Sequence, residues 1–188
     1  SVTATSDGKF FDHNTLVAIC CFDELRKGND VSVAYTMPDY LDSLAEKTSG
    51  SVHRYLTAPA DNSDYEARRI ASKQRFADDA LILTVKILSL MQERSCTLEE
   101  LACDIPEKHF VNKTVSIDFS PSDLMSLLGN NSSTDNKLSE GIRIERNGGK
   151  ILVVPQRRGD AVRILTEADS FEAASELCLS VEEIIKNN

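Results

Sequence analysis

Two short runs rich in β-branched and aromatic residues, DVSVAYT (30–36) and SVHRYLT (51–57), alternate with two helix patterns in the first 57 residues. This rhythm narrows the fold more than any other feature of the chain. The first helix pattern, NTLVAICCFDELRK (14–27), sets Leu16, Val17, Ile19, Cys20 and Leu25 near helical spacing, with Asn14 as the expected cap and Gly28 as the stop. The second, MPDYLDSLAEKTSG (37–50), has Pro38 in an expected first turn and ends at Gly50. Helix, strand, helix, strand with short links therefore predicts a parallel sheet covered by helices.

The segment 58–79 is polar and poor in period. It leads into a strong helix, ALILTVKILSLMQER (80–94), with Asp78 or Asp79 as cap, and then a short helix opened by a Thr97-x-x-Glu100 capping box. A first domain closes near Pro106. Beyond it the grammar changes. HFVNKTVSIDF (109–119) reads as a strand, SPSDLMSLLGNN (120–131) as a helix capped by Ser120, and NNSSTDNKLSE (130–140) as a flexible loop. GIRIERN and GKILVV form a hairpin around Asn147-Gly148, and AVRILTEA (161–168) is a further strand. The last helix carries Phe171, Ala174, Leu177, Cys178, Val181, Ile184 and Ile185 on one expected face. The expected architecture is an α/β three-layer domain, its sheet mostly parallel, over 1–106. A small α+β domain of about four antiparallel strands and two helices follows over 107–188.

Composition is ordinary for a globular chain: 41% hydrophobic and 27% charged, with no tryptophan, so the core must be aliphatic. A formal charge of −9 argues against a general nucleic-acid binder and against docking on anionic membranes. No apolar run approaches the roughly 20 residues that span a bilayer. The first residues, SVTATSDGKFF, lack the charged and apolar regions of a signal peptide and lack methionine, so a trimmed or excised chain is expected. The five cysteines, Cys20, Cys21, Cys96, Cys103 and Cys178, show no CxxC spacing. Four sit among apolar helical neighbours, which predicts buried small hydrophobes in a reducing cytoplasm rather than a disulfide frame or zinc site.

Charge is unevenly spread, and two basic clusters stand out. Arg68, Arg69, Lys73 and Arg75 accompany only Glu66, for a local net of +3. Two readings are open there: a solvated helix face, or an anion- or partner-binding surface. The tight loop VVPQRRGDAVRI (153–164) holds the second, with Gln156, Arg157, Arg158 and Gly159 at its tip and Arg163 beyond; five basic and two acidic residues lie between Glu145 and Arg163. Adjacent guanidiniums can grip a phosphate in forked geometry, although the same residues also make an ordinary exposed turn. His13, His53 and His109 have no nucleophile or acid partner at useful spacing, and Asp78-Asp79 reads as a helix cap rather than a metal ligand pair.

The order of these elements resembles the second half of the α-D-phosphohexomutases, the family of phosphoglucomutases and phosphomannomutases. GIRIERNGGKILVVPQRRGDAVRILTEADSFEAASELCLSVEEII is similar to their last domain, where Pro155 matches the proline of an "RPSGTEP" loop, Arg163-Ile164 an "RI" and Glu167-Ala168 an "EA". DGKFFDHNTLVAICCFDEL, ADDALILTVKILSLM and TLEELACDIPEKHF resemble successive segments of the third domain and the junction after it.

The resemblance implies a family that moves a phosphoryl group between two hydroxyls of a hexose phosphate. It does so with a phosphoserine, an Asp cluster holding Mg²⁺, a sugar loop and a phosphate loop. No phosphoserine-type or DGDGDR-type motif occurs in this sequence, so no catalytic residue is expected here; no cofactor is expected, and Mg²⁺ only if an upstream metal domain exists. The sugar loop's "GGExSGH" pattern has no counterpart between Ala58 and Ala77, and the phosphate loop's Arg and Ser-Gly-Thr-Glu-Pro are replaced by Val154 and Gln156 to Asp160. The expected function is therefore a phosphohexomutase-like module, non-catalytic alone, that binds a sugar phosphate or phosphate. The alternatives are a fragment of an active hexose-phosphate mutase, partnered by upstream domains of the same protein, and a partner-binding module such as one attached to a sugar nucleotidyltransferase.

Overall fold

A computed structural model of the chain describes residues 3–6, 8–56, 62–118, 120, 123–124, 128, 141–156 and 160–187. The chain divides into two compact units, Ser1–Pro106 and Glu107–Asn188.

Unit one opens with a two-stranded antiparallel ribbon, β1 (Ala4–Ser6) and β2 (Lys9–Phe11), which the sequence pattern did not announce. The helix α1 (His13–Arg26) is its centre. Leu16, Val17, Ile19, Cys20, Cys21 and Leu25 are all buried, and the helices Tyr40–Ala45, Ala80–Arg94 and Leu98–Ala102 pack around it. Its cap is Asp12, whose Oδ1 accepts from Thr15 N–H at 2.8 Å, and not the expected Asn14; the helix starts two residues earlier because Asp12 sits in the extended region an N-cap requires. The strands β3 (Val31–Ala34) and β4 (Val52–Tyr55) pair in parallel, with Val31 opposite Val52 and Ala34 opposite Tyr55. The crossover helix α2 (Tyr40–Ala45) is shorter than expected. Pro38 precedes its cap residue Asp39, and turns rather than helix lead to Gly50. Arg54 fixes this crossover: its guanidinium donates to Met37 O (2.8 Å), Pro38 O (3.0 Å) and Asp42 Oδ2 (2.7 Å).

The polar stretch after β4 contains α3 (Tyr65–Ala71) and a single 3-10 turn (Arg75–Ala77). Gln74 between them lies along the free edge of β3, accepting from Ser32 N–H and donating to Asp30 O, both at 2.8 Å, as a neighbouring strand would. The helix α4 (Ala80–Arg94) is capped by Asp79, and α5 (Leu98–Ala102) by the expected Thr97/Glu100 box. A small parallel sheet with helices is thus the architecture of this unit.

Unit two is one antiparallel sheet in the order β5-β8-β7-β6, from β5 (His109–Ser116), β6 (Ile142–Arg146), β7 (Gly149–Pro155) and β8 (Ala161–Ala168). Asn147 (φ +51) and Gly148 (φ +75) form the two-residue turn between β6 and β7, where positive φ at both positions matches the twist of the strands. The helix α6 (Phe171–Lys186) lays Ala174, Leu177, Cys178, Val181 and Ile185 on Ile151, Val153, Val162 and Ile164. Phe171 and Ile184, expected on that face, point to solvent at its flanks. Buried Thr166 ties sheet to helix, its hydroxyl donating to Ala174 O at 2.8 Å. Asp123, Leu124 and Leu128 are helical, with Leu124 and Leu128 in the same core; the rest of the expected 120–131 helix, apart from Ser120, and the 130–140 loop lie outside the described residues.

Candidate functional site

Beyond the carboxyl end of β4 the chain leaves a groove of about 620 Å³, open to solvent. Open α/β sheets bind ligands at the carboxyl ends of their strands, where loops diverge and backbone groups are left unpaired. Tyr55 and Leu56, the last residue of β4 and its successor, line the groove together with Arg68 and Ser72 from the α3 side. Arg75, Asp78 and Asp79 close it from the 3-10 turn and the start of α4.

Each polar side chain here is held within the unit; Ser72 Oγ donates to Arg69 O at 2.8 Å. Asp64, only 5% exposed, accepts from Leu56 N–H through Oδ2 at 2.8 Å, and its Oδ1 lies 2.7 Å from the Arg68 guanidinium as an ion pair. One buried carboxylate thus fixes both the end of β4 and the cation beside it. Arg75 stands 3.6 Å from Asp79, whose other oxygen already accepts from Leu81 N–H and Ile82 N–H at the head of α4. Divided between these duties, Asp79 neutralises Arg75 only partly, and Arg75 is the more exposed of the two groove arginines. Burial, and then the Asp78 carboxylate to which it hydrogen-bonds, push the Tyr55 phenol above its ordinary pKa, so it remains a neutral donor at physiological pH. Two guanidiniums can grip an anionic oxygen cluster, and the Tyr55 ring and Leu56 beside them can shelter a small organic body.

The first basic cluster therefore divides. Arg68 and Arg75 line the groove, Arg69 folds back on Glu66 (2.9 Å), and Lys73 is exposed. Tyr55, Ser72 and Asp64 were missed in the sequence. The signal that could have found Tyr55 was its place as the last residue of a parallel strand.

Of the second cluster, Arg157, Arg158 and Gly159 lie outside the described residues. The two residues that frame them are described. Gln156 N–H donates to Ala161 O at 2.9 Å and closes the loop's mouth, while Ile117 N–H donates to Asp160 O at 3.0 Å and ties its far end to the β5 edge. Arg163 sits on β8 opposite Val154 and Thr114, on the sheet face away from α6, and donates to Asn112 Oδ1 at 3.0 Å. Of the histidines, His53 lies 3.4 Å from Asp30 at the edge of β4, and burial holds the half-buried His13 below its ordinary pKa. Among the described residues no cluster of three or more His, Cys, Asp or Glu could hold a metal ion, and no helix is long and apolar enough to cross a membrane.

A small parallel α/β unit followed by a four-stranded antiparallel unit is an arrangement found in solved phosphohexomutases. The chain is similar to a phosphoglucomutase/phosphomannomutase family protein from Burkholderia thailandensis, at 16% identity and a TM-score of 0.68, over 98% of this chain and 43% of that one. It is also similar to N-acetylphosphoglucosamine mutase from Aspergillus fumigatus, solved with GlcNAc-6P and magnesium, at 10% identity and a TM-score of 0.56 over 96% and 45%. A third such structure is an N-acetylglucosamine-phosphate mutase of the α-D-phosphohexomutase superfamily, at 13% identity and a TM-score of 0.54 over 96% and 45%. The chain thus shares its fold with these phosphohexomutases and spans less than half the length of each of the three. No family model matches the sequence, and no curated protein matches it significantly.

Proposed function

We propose that this chain is a two-unit phosphohexomutase-like module that binds a phosphate ester, such as a sugar phosphate, without transferring its phosphoryl group unaided. One observation carries the reading: two arginines, each paired with a carboxylate, converge with a neutral phenol on a groove at the carboxyl end of a parallel strand. Phosphoryl transfer depends on positioning and charge neutralisation around a nucleophile and metal ions. This sequence offers neither a phosphoserine-type nor a DGDGDR-type motif. What remains is recognition. Arg68 and Arg75 would hold the phosphate, Asp78 would accept from a sugar hydroxyl, and the Tyr55 and Ser72 oxygens, whose protons go to Asp78 and to Arg69 O, would accept from others. The Gln156–Gly159 loop with Arg163 is a second anion grip in the same reading.

A second reading, an active mutase whose nucleophile and Mg²⁺ site lie in other domains, is favoured by the coverage of less than half of the similar chains. The test is an NMR titration with glucose 1-phosphate, mannose 1-phosphate and inorganic phosphate. Saturable shifts at the amides of Leu56, Ser72 and Arg75 support the reading. Shifts confined to Gln156–Arg163 would move the site to the second loop, and none up to millimolar ligand would end it.

A further inference from the structure

The groove residues Arg75 and Asp78 stand at the start and just past the end of the 3-10 turn Arg75–Ala77, and that turn is weak by itself. Ala77 N–H reaches Gln74 O at 3.3 Å and Asp78 N–H reaches Arg75 O at 3.2 Å, long bonds of the poor geometry such turns have. The residues between the groove side chains hold it instead. Gln74 binds the β3 edge through Ser32 N–H and Asp30 O. Phe76 is buried, and the Lys86 ammonium of α4 stands 5.3 Å from its ring centre. Ala77 offers only its backbone, which hydrogen-bonds the His13 side chain. That bond favours the protonated ring, so the carbonyl is the acceptor.

His13 is the first residue of α1, the helix at the centre of unit one. Its neighbour Asp12 is committed to the helix, where Oδ1 accepts from Thr15 N–H at 2.8 Å and from the Thr15 hydroxyl at 2.7 Å. The imidazole therefore reaches the turn from a fixed platform. Ala77 O belongs to the planar peptide that leads into Asp78, so holding that oxygen holds the Asp78 backbone. Asp78 in turn hydrogen-bonds the Tyr55 phenol. Arg75 has a long side chain that can follow a ligand. Asp78 has a single methylene and cannot.

We propose that His13 is a positioning residue of the groove: through Ala77 O it sets where Asp78 stands relative to Tyr55 and Arg75, and so how the site meets the organic part of a phosphate ester. The ligand in this proposal rests on the phosphate-ester reading, but the geometry does not, and the test has one arm for each. His13→Gln keeps an N–H donor, and His13→Leu removes it. In the ligand-free chain, NMR titration of isotope-labelled tyrosine follows the Tyr55 phenol, which burial and then Asp78 hold above the ordinary value of about 10. His13→Leu should let it fall toward that value, and His13→Gln should leave it at the wild-type position. In the second arm, glucose 1-phosphate should bind about 5-fold or more weakly to His13→Leu and within about 2-fold of wild type to His13→Gln. Inorganic phosphate, which meets the arginines alone, should keep its affinity in all three. A Tyr55 phenol unmoved by His13→Leu, or moved equally by His13→Gln, overturns the proposal. So does an equal loss for the two ligands. A wild type that binds neither ends the phosphate-ester reading, and the Tyr55 comparison then decides whether His13 holds the turn.

Discussion

Gly149 opens β7 directly beneath α6, and its lack of a side chain sets how closely the helix approaches the sheet. A Cβ there would lie 2.3 Å from Leu177 Cδ1 and 2.9 Å from Glu167 O. Leu177 can rotate only by giving up its seat in the core, and Glu167 O belongs to the paired strand β8 and cannot yield. Gly149→Ala should therefore cost about 1–3 kcal/mol through overpacking. Part of that loss is offset by about 0.5–1 kcal/mol because alanine restricts the unfolded chain. Leu177→Ala alone should cost about 2–5 kcal/mol for the cavity it leaves. With Leu177 truncated only the 2.9 Å approach to Glu167 O remains, so adding Gly149→Ala should then cost less than it does in the wild type, a favourable coupling of about 0.5 kcal/mol or more. Amide hydrogen exchange along β7 and β8 reads this unit separately from the first. Strict additivity of the two substitutions, or a Gly149→Ala variant as protected as wild type, would refute the steric argument.

Thiol reactivity should follow burial: burial pushes Cys20 up to about 12 and raises Cys21 and Cys178, so a thiol reagent at neutral pH should label exposed Cys103 first, half-buried Cys96 next, and the other three only in denaturant. Acid should destabilise both units in the same direction. Lys113 and then Lys186 hold Glu182 below the ordinary carboxylate range, and at Glu24 burial opposes the charge but hydrogen bonds from Lys86 and Asn29 outweigh it. A depressed carboxylate contributes stability that is complete above its unfolded pKa and lost as pH falls through the folded one. The urea midpoint should therefore fall in two stages, first below about pH 7 as the unfolded chain takes up a proton that buried His13 resists, then further below about pH 5, the second stage less steep in Glu24→Gln or Glu182→Gln; a midpoint that rises on acidification would contradict these shifts.

What could be read from the residues followed signals that act locally. The Thr97/Glu100 box, the Asn147-Gly148 turn and the Leu177–Cys178–Val181 stripe each determine a few residues by themselves, and all appear in the structure. Elements held by distant partners left weaker marks. The strands β1 and β2 have only three residues each, and α3 buries only Ala67, so neither shows an apolar period. Gln74 covers the edge of β3 from more than forty positions away, which spacing cannot disclose. The arginines of the groove were legible as a cluster. Which of them share a cleft was not, because that depends on Asp64 and Asp79 choosing Arg68 and Arg75 as partners while Glu66 takes Arg69. Arg157, Arg158 and Gly159 remain a sequence-level expectation.

The central claim is that the groove beside β4 holds a phosphate ester, and calorimetric titration of the whole chain with glucose 1-phosphate tests it most directly. Three proteins are compared: the wild type, Arg68→Ala/Arg75→Ala and Arg157→Ala/Arg158→Ala. The account predicts saturable wild-type binding that weakens by at least about 10-fold when the groove arginines are removed, as expected for losing two charge-assisted contacts. Undiminished affinity in the groove variant, or no heat from the wild type at millimolar ligand, would contradict it.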